Sequence, residues 1–128
     1  MRVLADAHAV LWVTLDDDRL PRQVRELIAD VKTRVVVSTA TTWELMVKTL
    51  AGRLRLPESP ETFFRGLIDD FDYEILPVHQ RHVDALPELP AIHRDPFDRM
   101  LVAQAIVEDL EIVTGDRAIT QYPVRTIW

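Results

Sequence analysis

The sequence predicts an α/β fold built on a central, mainly parallel sheet of about five short strands. Short aliphatic or β-branched runs alternate along the chain with longer segments of helical periodicity, and such alternation requires βα crossovers. Only 3 of the 128 residues are glycine, so loops are short and helices numerous. The chain is long enough for one domain with a real core and leaves little room for a second.

Arg2–Ala5 reads as a short buried strand ending at Asp6, followed by a mostly apolar helix over Ala7–Leu15. Asp16-Asp17-Asp18 breaks the pattern. Pro21 opens a second helix to about Val31, with Val24, Leu27, Ile28 and Val31 at helical spacing. Val35-Val36-Val37, within Arg34–Ser38, is the β-branched run of a strand covered on both faces. Thr39–Ala51 reads as a helix with Gly52 at its C′ position, and Pro60–Asp70 as another, around Phe63, Phe64, Leu67 and Ile68. A strand over Tyr73–Val78, a short helix over His79–Leu86 and an irregular Pro87–Arg94 follow. Asp95–Leu110 is the best-marked helix, apolar nearly all round. Glu111–Thr114 is a strand, Gly115-Asp116 a turn, Arg117–Gln121 a helical turn and Arg125–Trp128 the last strand.

Composition narrows the function. Without cysteine there is no disulfide, thiolate metal site or cysteine nucleophile. No apolar run reaches membrane-span length, and the first residues lack the pattern of a signal peptide, so a cytoplasmic location is expected. The net charge of −6 argues against a broad basic nucleic-acid grip. It says little about catalysis, since a carboxylate metal site is itself acidic.

Four acids take comparable places in this layout. Asp6 closes the first strand, Glu44 falls in the first turn of the helix after the second, Asp98 in the first turn of the long apolar helix, and Asp116 after the strand ending at Thr114. In open α/β sheets ligands bind outside the carboxyl ends of the strands. Each acid also has a structural explanation. Asp6 and Asp116 suit caps, Thr41-Thr42-Trp43-Glu44 matches a capping box with Glu44 four residues before Lys48, and Asp98 complements a helix dipole. Capping does not, however, require several acids to converge on one sheet edge. Two such charges at 4 Å repel by roughly 4 kcal/mol at an effective dielectric of 20, and all-oxygen ligands suit Mg²⁺ or Mn²⁺.

The segments Val3-Leu4-Ala5-Asp6-Ala7-His8-Ala9, Ser38-Thr39-Ala40-Thr41-Thr42-Trp43-Glu44, His93-Arg94-Asp95-Pro96-Phe97-Asp98-Arg99-Met100-Leu101 and Val113-Thr114-Gly115-Asp116 together resemble the PIN-domain ribonucleases, in particular the VapC-like toxins of type II toxin–antitoxin pairs. The resemblance spans nearly the whole chain and is most specific in the block around Asp95-Pro96-Phe97-Asp98. It implies a three-layer α/β/α fold over residues 1–128 and a quartet of Asp6, Glu44, Asp98 and Asp116 around one or two Mg²⁺ or Mn²⁺ ions. The implied activity is endoribonuclease cleavage of RNA, and the implied partners are a small antitoxin and a second copy of the toxin. Asp95, before Pro96, suits a cap better than a ligand. One departure is Ala7, where many relatives carry a hydroxyl, so a hydrogen bond beside Asp6 is expected to be missing.

Lys48, Arg53 and Arg99, with Arg55 and Arg94, are the candidate phosphate contacts, against the slightly favoured alternative of a pair with Glu44 for Lys48 and a solvated surface for the rest. His8, two residues past Asp6, either faces the cleft or, as the favoured reading, packs on its helix, and His79, His82 and His93 show no mutual metal-ligand spacing. Trp12, Trp43 and Trp128 are expected in the core or an interface, with stacking on bases as the less favoured alternative, and the helix bearing Phe63, Phe64 and Leu67 is a candidate partner contact with core packing as the alternative. Phosphatases of the haloacid-dehalogenase type need a second acid where His8 stands, and receiver domains need an acidic pair and a late lysine that are not in place. The remaining alternative is a catalytically weak or inactive PIN-fold module that binds RNA or protein.

Overall fold

The computed structural model describes residues 1–128. Its elements are β1 (Arg2–Ala5), α1 (Ala7–Thr14), α2 (Arg22–Ala29), β2 (Arg34–Ser38), α3 (Thr39–Leu50), α4 (Pro60–Asp69), β3 (Glu74–Leu76), α5 (Gln80–Ala85), α6 (Pro96–Glu108), β4 (Glu111–Val113), α7 (Arg117–Thr120) and β5 (Thr126–Ile127), with a 3₁₀ turn at Leu86–Glu88. The five strands form one sheet in the order β3-β2-β1-β4-β5. Every pairing is parallel: Leu4 lies opposite Val36 on one side and Ile112 on the other. The chain builds outward from β1 through β2 to β3, then crosses back to β4. The switch in strand order therefore falls between β1 and β4, which is where ligand crevices open in such sheets.

Alternation along the strands divides the core into two layers. Val3, Ala5, Val35, Val37 and Val113 face α1–α4, packing with Val10, Val24, Leu45, Phe63 and Leu67. Leu4, Val36, Leu76 and Ile112 face the other way, onto Leu101, Val102 and Ala105 of α6, Ile119 of α7, and Tyr122. Burial on both sides is why β2 reads as an unbroken valine run. The result is the α/β fold that the sequence predicts, in the three-layer α/β/α arrangement that the family resemblance implies.

The differences from expectation are local. Helix α2 stops at Ala29, because Asp30 leaves helical geometry and its Oδ1 accepts the Lys32 N–H at 2.9 Å. Val31, placed by spacing on the apolar stripe, is instead 98% exposed. Pro77 has no N–H to donate, and β3 ends at Leu76. Helix α6 closes at Glu108 through Asp109, held left-handed at φ 52°, whereas Gly52 takes φ +73° after α3 as its place at C′ predicts. Helix α3 starts earlier than the Thr41 capping box implies: Ser38 is the N-cap and accepts the Ala40 N–H. Glu44 consequently lies in the second turn of α3, not the first. On α4, Phe63 and Leu67 are core residues, which removes them from the expected partner contact and leaves Phe64 partly buried beside them. Trp43 is 63% exposed and does not fill the core, while Trp12 and Trp128 are partly buried against it.

Candidate metal centre

Asp6 follows β1 and is 5% exposed. Its own N–H donates to the Val113 carbonyl at 3.1 Å, which fixes it beside β4. Its Oδ1 caps α1 by accepting the Ala9 N–H at 2.8 Å. The Thr114 hydroxyl lies close enough to the same carboxylate to favour its ionised form, and Thr114 Oγ1 accepts the Asp116 N–H at 3.0 Å. A small chain thus links the loop after β4 to the acid after β1. Ala7 offers no hydroxyl, and the hydroxyl beside Asp6 comes instead from Thr114 on the neighbouring strand end.

Asp116 caps α7 through one oxygen, Oδ1, which accepts the Ala118 N–H at 2.8 Å. Asp95 caps α6, accepting the Phe97 and Asp98 N–H groups at 2.8 and 3.1 Å. This cap, with Pro96 at the first helical position, places Asp98 in the first turn of α6. Glu44, 9% exposed, turns Oε2 to Lys48 Nζ at 2.8 Å. Capping and site chemistry are compatible here, because each cap uses one oxygen of a carboxylate and leaves the other.

The closest grouping includes a residue that the spacing argument passes over. His93, Asp98 and Asp116 each bring a ligand atom within 4.8 Å of the others. His93 Nδ1 accepts the Arg94 N–H at 3.1 Å, so its Nε2 carries the proton and donates to Asp98 Oδ2 at 2.9 Å. The loop bearing His93 is itself fastened. The Tyr122 hydroxyl accepts the His93 N–H at 2.9 Å, and Arg99 donates to the carbonyls of Pro90 and Leu86 at 2.9 and 3.3 Å. Arg99, a candidate phosphate contact by sequence, is therefore engaged in holding this loop. Lys48 pairs with Glu44, and Arg53 is exposed. The sequence signal for His93 was its place five residues before Asp98 in the most specific block, rather than spacing to another histidine.

The electrostatics follow from this crowding. Burial pushes the Asp98 carboxyl up to about 6, the charges of Asp95, Glu44 and Asp116 push the same way, and His93 opposes them. Burial also raises Asp6, partly offset by the Thr114 hydroxyl and the Ala9 N–H, with Asp116 adding to the rise. Carboxylates that resist ionisation in their folded positions are those a bound cation would relieve. The donor set of carboxylate oxygens fits a hard divalent ion such as Mg²⁺ or Mn²⁺.

If His93 orients Asp98, His93→Ala lowers both divalent-ion affinity and kcat by about 10- to 100-fold. Titration calorimetry with Mn²⁺ beside steady-state rates checks this, and unchanged affinity would remove the orienting role.

The PIN domain family model matches residues 3–124. No curated protein sequence gives a significant match. Among solved structures, the chain is similar to VapBC2 from Rickettsia felis bound to a DNA fragment from their promoter, with TM-score 0.73, 13% identity, and coverage of 100% of this chain and 99% of that one. It is also similar to FitAcB from Neisseria gonorrhoeae, with TM-score 0.69, 16% identity, and 100% and 97% of the two chains covered. At these identities the likeness is one of fold. With the family model spanning both core layers and all four acids, the chain belongs to the PIN domain family.

Proposed function

We propose that this chain is a divalent-metal-dependent endoribonuclease, the toxin of a toxin–antitoxin pair, with its centre at Asp6, Glu44, Asp98 and Asp116. The observation that carries the reading is the gathering of carboxylates at the switch point of the sheet, Asp6 and Glu44 buried and Asp98 and Asp116 half-buried, with Asp98 pushed up to about 6. Membership of the PIN domain family supports nuclease chemistry. The fold likeness to VapBC2 and FitAcB supports a toxin role.

When bound, Mg²⁺ or Mn²⁺ supplies a water of lowered pKa and stabilises charge growing on the phosphate oxygens. The residues divide the remaining work. Asp98 and Asp116 offer the oxygens that neither His93 nor the α7 cap engages, and Asp6 adds its own from the end of β1. Glu44 orients the attacking water or serves as a further ligand. His93 keeps Asp98 in place through Nε2–H. Lys48 and Arg53, on and just beyond α3, are the proposed phosphate contacts, whereas Arg99 acts through the His93 loop.

A small antitoxin and a second toxin copy are the proposed protein partners. Trp43 supports such a contact: it is exposed between two apolar grooves, one lined by Met46, Phe64 and Ile68, the other by Phe97 and Met100. No helix is long and apolar enough to cross a membrane, which fits the proposed cytoplasmic site of action. The test is cleavage of single-stranded and structured RNA by partner-free protein with Mg²⁺ or Mn²⁺, against EDTA. Metal-dependent cuts within the chain of the RNA are expected. Failure to cleave by folded protein shown to bind the ion would replace this reading with the binding-module one.

A further inference from the structure

Beside the acids lies a cleft that the metal chemistry does not use. It has a volume of about 350 Å³ and is lined by His8, Trp12, Arg19, Gly115, Asp116 and Trp128. Asp116 belongs to both the cleft and the acid cluster. Three aromatic rings stand in series: His8 and Trp12 have centroids 5.4 Å apart, and Trp12 and Trp128 5.7 Å apart. The Arg19 guanidinium lies 4.7 Å from the centroid of the Trp12 ring. Asp17 holds that guanidinium through Nε and Nη2 at 3.0 and 2.8 Å, which leaves Nη1 as a free donor. His8 is exposed on the cleft wall and packs against Trp12 of its own helix, so both readings of it hold.

The cleft is built tightly against the catalytic loop. A Cβ at Gly115 would lie 2.5 Å from Trp128 Cε2, so only glycine lets the indole close on the residue before Asp116. Core packing accounts for one side of Trp12 and Trp128. It does not account for their rings lining an open cleft with a fixed guanidinium and a solvent-facing imidazole.

We propose that this cleft is a nucleobase subsite, stacking the unpaired base of the nucleotide next to the phosphate that a divalent ion bound by Asp98 and Asp116 would hold. The proposal rests on the nuclease reading for the place of that phosphate. Aromatic rings and arginine planes stack on any base face, a contribution to single-stranded RNA binding that does not depend on the protein's net charge. That suits a chain of net charge −6. The Nη1 donor of Arg19 and the imidazole of His8 add polar contacts that can favour one base over another.

The experiment uses full-length Asp98→Asn protein with Mg²⁺ present, titrated with short single-stranded RNA and followed by tryptophan fluorescence. The same RNA is then tested with an abasic residue scanned through it. At one position the abasic change should weaken binding by roughly 5- to 150-fold, with loss of quenching. Adding Trp12→Leu should abolish that penalty, and so should Arg19→Ala or His8→Ala, whose exposed side chains leave the core untouched. An abasic penalty of the same size in all three variants, or none at any position, would overturn the subsite. The two readings fail separately. Cleavage by the parent protein without an abasic penalty removes only the subsite, and a Trp12-dependent penalty without cleavage removes only the nuclease. Displacement of RNA by a peptide, with no Trp12-dependent base effect, would assign the cleft to a protein partner and also overturn the proposal.

Discussion

Replacing Asp98 with asparagine is expected to lower metal-dependent RNA cleavage by at least about 100-fold while raising the thermal stability of the metal-free protein. Both effects come from one cause. The Asp98 side chain is 18% exposed and stands among Asp95, Glu44 and Asp116, so its ionisation is resisted in the folded state up to about 6, from 3.8. A carboxyl raised in this way stabilises the fold fully below its unfolded pKa. That contribution is lost as pH rises towards about 6. At neutral pH the metal-free protein therefore carries a penalty of up to about 3 kcal/mol that asparagine removes. Divalent ion should restore stability to the parent and do little for the variant. Melting curves at pH 4.5 and pH 7.5 (about 1.5 units either side of the shifted pKa), with and without Mn²⁺, check the prediction together with a cleavage assay. Equal melting behaviour of parent and variant at both pH values would show that Asp98 is not strained by its neighbours.

The second large effect is on stability alone. His82→Ala should cost about 3–5 kcal/mol with the acid cluster left intact. His82 is fully buried between α5 and α6. Its Nδ1 accepts the His79 N–H at 2.9 Å, so Nε2 donates to Glu108 Oε1 at 2.7 Å. Arg81 meets the same oxygen at 2.6 Å. Alanine would open a cavity, orphan the His79 N–H and remove a partner from Glu108. The pH dependence has the opposite sign to that of Asp98. Hydrogen bonds from His82 and Arg81 lower the Glu108 carboxyl below its usual 4.5. Stability from that pair is present above pH 4.5 and is lost as pH falls through the lowered value. Denaturant unfolding of His82→Ala at neutral pH measures the loss. A cost below about 1 kcal/mol would mean that α5 is not secured by this network.

The two substitutions separate the ends of α6. Asp98, in its first turn, serves the site at the cost of stability, while Glu108, at its last residue, serves the packing of α5. Sequence periodicity describes α6 as one apolar helix and does not distinguish these ends. Gln104 shows the same limit. It is the polar residue within the apolar run, and it is buried with Nε2 3.3 Å from the Pro77 carbonyl and Oε1 without a partner. Its neighbours come from distant parts of the chain, so its position in α6 could not announce them.

Short-range periodicity and chain connectivity account for the features that were legible before the fold was known. Val35-Val36-Val37 specify a strand covered on both faces, Asp95-Pro96 starts α6, and Gly52 ends α3 because each signal acts within one or two turns. The order of the acids along alternating strands and helices was equally legible, since in a parallel sheet the ends of β1 and β4 and the starts of the following helices share one edge. Only the tertiary structure decided what reaches across that edge. Thr114 supplies the hydroxyl that Ala7 lacks, His93 holds Asp98, Arg99 fastens the His93 loop instead of facing solvent, and Trp128 closes on Gly115 beside Trp12. These are contacts between side chains distant in sequence, set by the register of packed layers, and no local pattern of residues encodes a distance across a fold.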